Sequence, residues 1–352
     1  MLKNVHFILP GMAIILLLIP ASGAVLENAQ YPLEITDASG NTVIIEEKPQ
    51  RIISTMPSNT EMLFAIGAGK YIVGSTIHDT YPPEAEETEK IGGYVTLDIE
   101  KIIDLEPDLV VAGSDNGEEN INIMRDELGM NVIILDSRNL DEIMENIELL
   151  GVITNNTANA TSVTAGMRQK IEDIAEDTAT IPEDVRPRVL YVVWDDPMYA
   201  AGNNTFPNDL IAIAGGKNIM STDGWLTVDP EDALDKDPEI IICSSMGENE
   251  QSVSEELAGK IRSNELLAHT SAVQNNRIYP ISDPNLIERS GPRIVQGLEE
   301  LYRIVEPVTE EKIQEIEGSA EKENNTQDSP GFGILLTCAA ILSLFIFGKI
   351  RK

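Results

Sequence analysis

Six short segments carry the side chains best suited to contact a small molecule: Met56-Pro57-Ser58-Asn59, Thr76-Ile77-His78-Asp79, Gly93-Tyr94, Asp196-Pro197-Met198-Tyr199, Gly224-Trp225 and the run from Asp283 to Arg289. Aromatic residues make up only 5% of the chain, so Tyr94, Tyr199 and Trp225 falling in loops rather than strands is informative. Each reads as readily as ordinary packing when taken alone. Together they describe apolar faces with a few polar anchors, which is the chemistry of holding a ligand. The chemistry of making bonds has no recognisable motif. Gly-x-Ser-x-Gly, His-Glu-x-x-His, the phosphate-binding loop and Gly-x-Gly-x-x-Gly are all missing, and Gly67-Ala68-Gly69 runs on to Gly74 at the wrong spacing. The three histidines are His6, His78 and His269; with His6 assigned to a targeting segment, too few remain for a multi-histidine metal site. The chain is read as a binder without catalytic residues, bound metal or cofactor.

The elements that must position these segments are repeated. Glu100-Lys-Ile-Ile-Asp-Leu-Glu-Pro-Asp-Leu-Val-Val111 recurs as Glu231-Asp-Ala-Leu-Asp-Lys-Asp-Pro-Glu-Ile-Ile-Ile242. Each copy is an acid, a short helical segment, an acid-Pro-acid turn that stops it, and an aliphatic run suited to a buried parallel strand. A second pair, Leu63 to Val73 and Leu210 to Met220, aligns apolar, glycine and lysine positions in the same order. Two matches in one order point to a duplicated α/β lobe. The first core strand is expected at Arg51–Pro57. It is followed by a helix capped within Ser58-Asn-Thr-Glu61, with Glu61 as a first-turn acid, and ended by Gly67 and Gly69.

The expected organisation is a first lobe over residues 31–138, a helical connector over 139–182 broken near Gly151–Asn156, and a second lobe over 186–307. Residues 308–329 are acidic and polar, with no apolar period after Ile316, and read as a disordered tether. Lys3, the apolar run Phe7–Ile19 and Ala21-Ser-Gly-Ala24 read as a signal peptide over 1–24. The apolar run Gly333–Gly348 with its basic finish reads as a C-terminal anchor that leaves the lobes outside the membrane. The formal charge of −34 opposes binding to nucleic acid or anionic lipid. Sequons at Asn155, Asn159, Asn203 and Asn324 suit an exported chain.

Pro49 to Gly69, Tyr81-Pro-Pro-Glu84, Gly92-Gly-Tyr94, the repeated stretch at Glu100, and Ser290-Gly-Pro-Arg-Ile-Val-Gln-Gly-Leu298 resemble the periplasmic binding proteins for vitamin B12 and ferric siderophores. The resemblance runs from about Pro49 to Pro307. It implies two α/β lobes joined by a long rigid helix, the class III arrangement, and delivery of a chelate by a monomer to an ABC permease and ATPase complex. By the same resemblance Tyr94, Tyr199 and Trp225 match cleft aromatics, and Asp283 and Arg289 match polar ligand contacts. Glu100 and Glu231 match acids that dock onto permease arginines; as residues, both also suit the first turn of a helix. Ser329-Pro-Gly-Phe332 and the rest of the 330–352 segment are similar to archaeal Pro-Gly-Phe sorting signals, which are cleaved and replaced by lipid, the alternative being a retained transmembrane helix.

Anionic siderophores call for several cleft cations, and only Arg289 is basic among the loops named. The sequence therefore leans to a corrinoid, with a ferric chelate, or haem ligated by His78, as the alternatives. A tethered sensory receptor is the reading from a different class.

Overall fold

The computed structural model describes residues 30–244 and 250–326. The expected signal peptide, Cys338 and the 330–352 segment lie outside the described residues.

A hairpin of β1 (Leu33–Thr36) and β2 (Thr42–Ile45) precedes the first lobe. Its turn is organised by Asp37, whose Oδ1 accepts from the backbone N–H of Ser39 and of Asn41, each at 3.0 Å. The lobe itself is a parallel sheet in the order β5-β4-β3-β6-β7, built from β3 (Ile52–Ser54), β4 (Ile72–Ser75), β5 (Glu89–Lys90), β6 (Leu109–Ala112) and β7 (Val132–Ile134). The central strands are buried along their whole length, as expected where helices cover both faces of a parallel sheet. The covering helices are α1 (Pro57–Ala65), α2 (Ile99–Asp104), α3 (Glu118–Asn122) and α4 (Leu140–Ile153).

After a break at Thr154–Asn156 comes α5 (Thr157–Thr178). The second lobe repeats the core order as β10-β8-β12-β13, from β8 (Arg188–Asp195), β9 (Met198–Ala201), β10 (Lys217–Asn218), β11 (Trp225–Thr227), β12 (Ile240–Cys243) and β13 (Ile278–Pro280). Strands β9 and β11 extend it in antiparallel fashion. Its helices are α6 (Phe206–Ile213), α7 (Pro230–Lys236), α8 (Glu250–Ser263), α9 (Ser271–Gln274), α10 (Asn285–Glu288) and α11 (Ile294–Thr326).

The duplication extends to side chains. In the acid-Pro-acid turns, Glu106 and Asp237 hold φ of 43° and 44°, a left-handed conformation costly for residues with a Cβ. The acid after each proline closes the turn onto the neighbouring strand. Asp108 Oδ1 accepts from Arg51 N–H at 3.0 Å, and Glu239 Oε2 accepts from Arg188 N–H at 3.0 Å. Arg51 and Arg188 then donate their Nε back to carbonyl oxygens of the turns, at Glu106 (3.0 Å) and Asp237 (2.7 Å). These bonds offset the strained backbone in both lobes.

Two expectations need correction. The helix after β3 is not capped by Ser58: its N-cap is Met56, without a side-chain bond, Pro57 opens it, and Glu61 is buried rather than a first-turn acid. Within 139–182, α4 and α5 part at Thr154–Asn156 and pack on each other; α4 also packs on α1, and α5 on α1, α6 and α11. The 308–329 tether is also overturned as far as Thr326, since α11 passes through Pro307 and continues to that residue. The buried stripe Leu298, Leu301, Val305, Val308 keeps helical spacing across the proline, and Ile313 packs with Ile181 and Val185. Lys312 Nζ donates to Glu239 Oε2 at 3.1 Å. Tertiary burial thus outweighs the lost backbone bond and the polar composition.

Candidate ligand-binding cleft

In parallel α/β sheets the loops at the carboxyl ends of strands face ligands, and the first lobe gathers three of its expected residues there. The His78 ring meets Tyr94 edge-on, with centroids 5.5 Å apart, and Met56 sits beside them through a residue the sequence did not single out. Buried Asn116, after β6, donates its Nδ2 to the carbonyls of Thr55 (3.1 Å) and Tyr94 (2.8 Å) and approaches the Met56 sulfur at 3.5 Å. Its Oδ1 accepts from Thr55 Oγ1 at 2.6 Å and Gly113 N–H at 2.9 Å. One amide therefore ties the loops after β3, β5 and β6 into a single wall. Met56 and Ser58 keep partial exposure, whereas Pro57 and Asn59 are buried. Asn59 Nδ2 donates to the Ala112 carbonyl at 3.0 Å, which removes it from the candidate contacts.

In the second lobe the aromatic pair is on strands, not in loops as expected. Tyr199 lies on β9 opposite Thr227, and Trp225 lies on β11 opposite Ala201. Residues two apart on a strand share a face, so Tyr199 and Trp225 are diagonal neighbours. Their rings stack at 6.4 Å and 14°, with 39% and 38% of each residue exposed. Tyr191, fully buried on β8, lies against Trp225 at 6.4 Å, and burial pushes its phenol well above the usual range. Its hydroxyl, still protonated, donates to Glu288 Oε1 at 3.1 Å, which also accepts from Ser244 Oγ at 2.5 Å.

The polar anchors Asp283 and Arg289 are drawn into a network the sequence did not predict. Glu61 of α1, with its side chain 1% exposed, accepts Arg293 Nε at 2.9 Å and Nη2 at 2.7 Å. Arg289 Nη1 reaches Glu61 Oε1 at 3.3 Å, and its Nη2 reaches the His78 carbonyl at 3.3 Å. Arg293 also pairs with Asp283 at 3.1 Å and lies 3.9 Å from the Tyr81 ring centroid. Both Glu61 and Arg293 fall within runs that carry the family resemblance; Glu61 was otherwise marked only as a first-turn acid, and nothing else marked Arg293.

Near this network, buried Asp79 accepts from the Thr76 hydroxyl. Burial raises its carboxyl above the usual range, and the Thr60 and Thr76 hydroxyls and Lys90 pull it back only in part. Cys243 is buried, which pushes its thiol up to about 12 and leaves it unreactive. Among the described residues no group of three or more His, Cys, Asp or Glu side chains could hold a metal, and no helix is long and apolar enough to cross a membrane.

Glu100 and Glu231 occupy matched positions. Each is exposed in the first turn of its helix, two residues after an aspartate N-cap: Asp98 accepts from Lys101 N–H and Asp229 from Glu231 N–H, both at 3.0 Å. Of the sequons, Asn159 donates its amide to the Ile66 carbonyl at 3.0 Å and Asn203 to Ser221 at 2.7 Å. Asn155 takes a left-handed φ of 54° in the middle of the α4–α5 break, and Asn324 falls in the last turn of α11.

Two related α/β lobes bridged by a helix, with aromatic surfaces near their strand ends, define a bilobal binding-protein architecture. Residues 52–284 match the family model for periplasmic binding proteins, and the chain belongs to that family. The uncharacterized ABC transporter substrate-binding lipoprotein YvrC of Bacillus subtilis is 32% identical over 284 residues, covering 79% of this chain and 87% of that protein. The periplasmic vitamin B12 binding protein BtuF of Vibrio cholerae superposes with a TM-score of 0.63 at 26% identity, over 74% of this chain and 98% of that one. The periplasmic heme-binding protein RhuT of Roseiflexus sp. RS-1 gives 0.64 at 25% identity, over 74% and 99%.

Proposed function

We propose that this chain is the extracytoplasmic substrate-binding protein of an ABC importer, and that it carries a corrinoid between its lobes. The observation that carries the cargo reading is the combination of exposed, stacked Tyr199 and Trp225 with arginines already spent. Arg289 and Arg293 are neutralised by Glu61 and Asp283. A large, nearly neutral macrocycle gains from such aromatic faces, whereas an anionic chelate would find its cations occupied. The vitamin B12 relative from Vibrio cholerae supports the same reading. Haem is the second reading. It is favoured by the exposed His78 imidazole beside Tyr94 and by the heme-binding relative.

Delivery runs through Glu100 and Glu231, which present one carboxylate from each lobe to a membrane partner with two-fold character. The segment beyond α11 holds the monomer at the outer face of the cytoplasmic membrane, as a lipid-anchored or membrane-spanning tail. The test is titration of the purified chain with cyanocobalamin, ferrichrome and haemin, monitored by tryptophan fluorescence. Quenching by cyanocobalamin at low micromolar concentration is expected. A response to haemin or ferrichrome alone would reassign the cargo, and silence with all three would remove this reading.

A further inference from the structure

The lobes are fastened twice. The first fastening is apolar: α5 packs on α1 and α4 of the first lobe and on α6 and α11 of the second, within one continuous buried cluster. The second is ionic and lies where α1 and the loop after β4 meet the segment between α10 and α11. There Glu61 and the His78 carbonyl of the first lobe meet Arg289 and Arg293 of the second.

We propose that Glu61, Arg289 and Arg293 form a clasp that sets the spacing and orientation of the lobes in the ligand-free protein. The three are positioning residues rather than ligand contacts. Arg293 grips both oxygens of Glu61 in a planar fork, a geometry that fixes orientation as well as distance. Parting the lobes would break both charge-assisted bonds to a carboxylate whose side chain is 1% exposed while the lobes are joined. The Tyr81 ring lies 3.9 Å from the Arg293 guanidinium and adds a cation–π contact to the pair. Arg289 is the looser member, with both contacts at 3.3 Å, yet it ties the clasp to the backbone of the loop that carries His78 and thus to the aromatic wall of the first lobe.

The width of the cleft can be read without any ligand, so this inference can fail independently of the cargo assignment on which its functional meaning rests. Spin labels on Asp115→Cys and Thr222→Cys, both exposed and on different lobes, report the spacing in the full chain in a Cys338→Ser background. Double electron–electron resonance is expected to give one narrow distance for the ligand-free protein. Arg293→Gln and Glu61→Gln are expected to broaden it towards longer distances, and Arg289→Gln to do so to a smaller extent. Cyanocobalamin release should accelerate about tenfold or more in Arg293→Gln. A merely structural pair would lower stability and leave the distance distribution unchanged, and that result overturns the proposal. Should Arg293→Gln fail to fold, Arg289→Gln, which leaves the Glu61–Arg293 fork intact, decides the matter: an unaltered distribution in that variant also overturns it.

Discussion

Glu61 and Arg293, 232 positions apart in the chain, are joined at 2.7 Å between Oε1 and Nη2 and at 2.9 Å between Oε2 and Nε. The two lobes are thus linked through charge as well as through the α5 helix. Arg293→Gln is expected to lower the free energy of urea unfolding by about 3 kcal/mol, the lower end of the cost of unpairing a buried carboxylate, because Arg289 remains nearby. Arg289→Gln should cost about 1 kcal/mol, as befits one longer bond to a charge already paired. Equal losses in the two variants would contradict the bidentate role of Arg293.

The stacked pair in the second lobe gives the clearest handle on binding. Trp225→Ala is expected to weaken cyanocobalamin binding by about 10- to 100-fold, the loss typical of an aromatic anchor, with little change in melting temperature because the residue is exposed. Tyr199→Phe should bind nearly as well as the parent chain, since its hydroxyl makes only a 3.5 Å contact with the Trp225 carbonyl. Isothermal titration of both variants separates ring stacking from hydrogen bonding.

Charge reversal at either docking acid should separate transport from capture. Glu100→Lys or Glu231→Lys is expected to abolish importer-dependent uptake in cells while the purified variants keep the parental dissociation constant. A weakened ligand affinity would instead place these carboxylates in the cleft.

The pH response of Asp79 is set by its burial. Its carboxyl titrates above the usual range when folded, so the folded chain binds this proton more tightly than the unfolded chain does. The stability it contributes is fully present below the unfolded value, about 3.9, and is lost as pH rises through the raised folded value. Asp79→Asn should therefore raise the urea midpoint at pH 7. The gain should shrink steadily as the pH is lowered towards 4. A constant difference across that range would show that the residue acts through packing alone.

Tyr199 and Trp225 were marked as ligand-facing by rarity, yet were expected in loops. Their pairing across β9 and β11 depends on a hairpin register that no local pattern near Trp225 declares. The expected tether failed for a related reason: the composition after Pro307 is polar, and the packing of Val308 in the main core and of Ile313 against Ile181 and Val185 makes it a helix.

What the sequence by itself determined was the duplicated lobe and its matched acids. Runs such as Leu109–Ala112 and Ile240–Cys243, apolar on both faces, announce buried parallel strands, and the acid that opens each repeat, Glu100 or Glu231, falls in the first turn of its helix. These are short-range features, so a linear reading reaches them. Only the tertiary structure decided that Asn116 binds three loops together and that Glu61 neutralises two arginines from the other lobe. A side chain's local sequence does not say which distant partner will exclude water from it, and burial sets the worth of a charge or an amide.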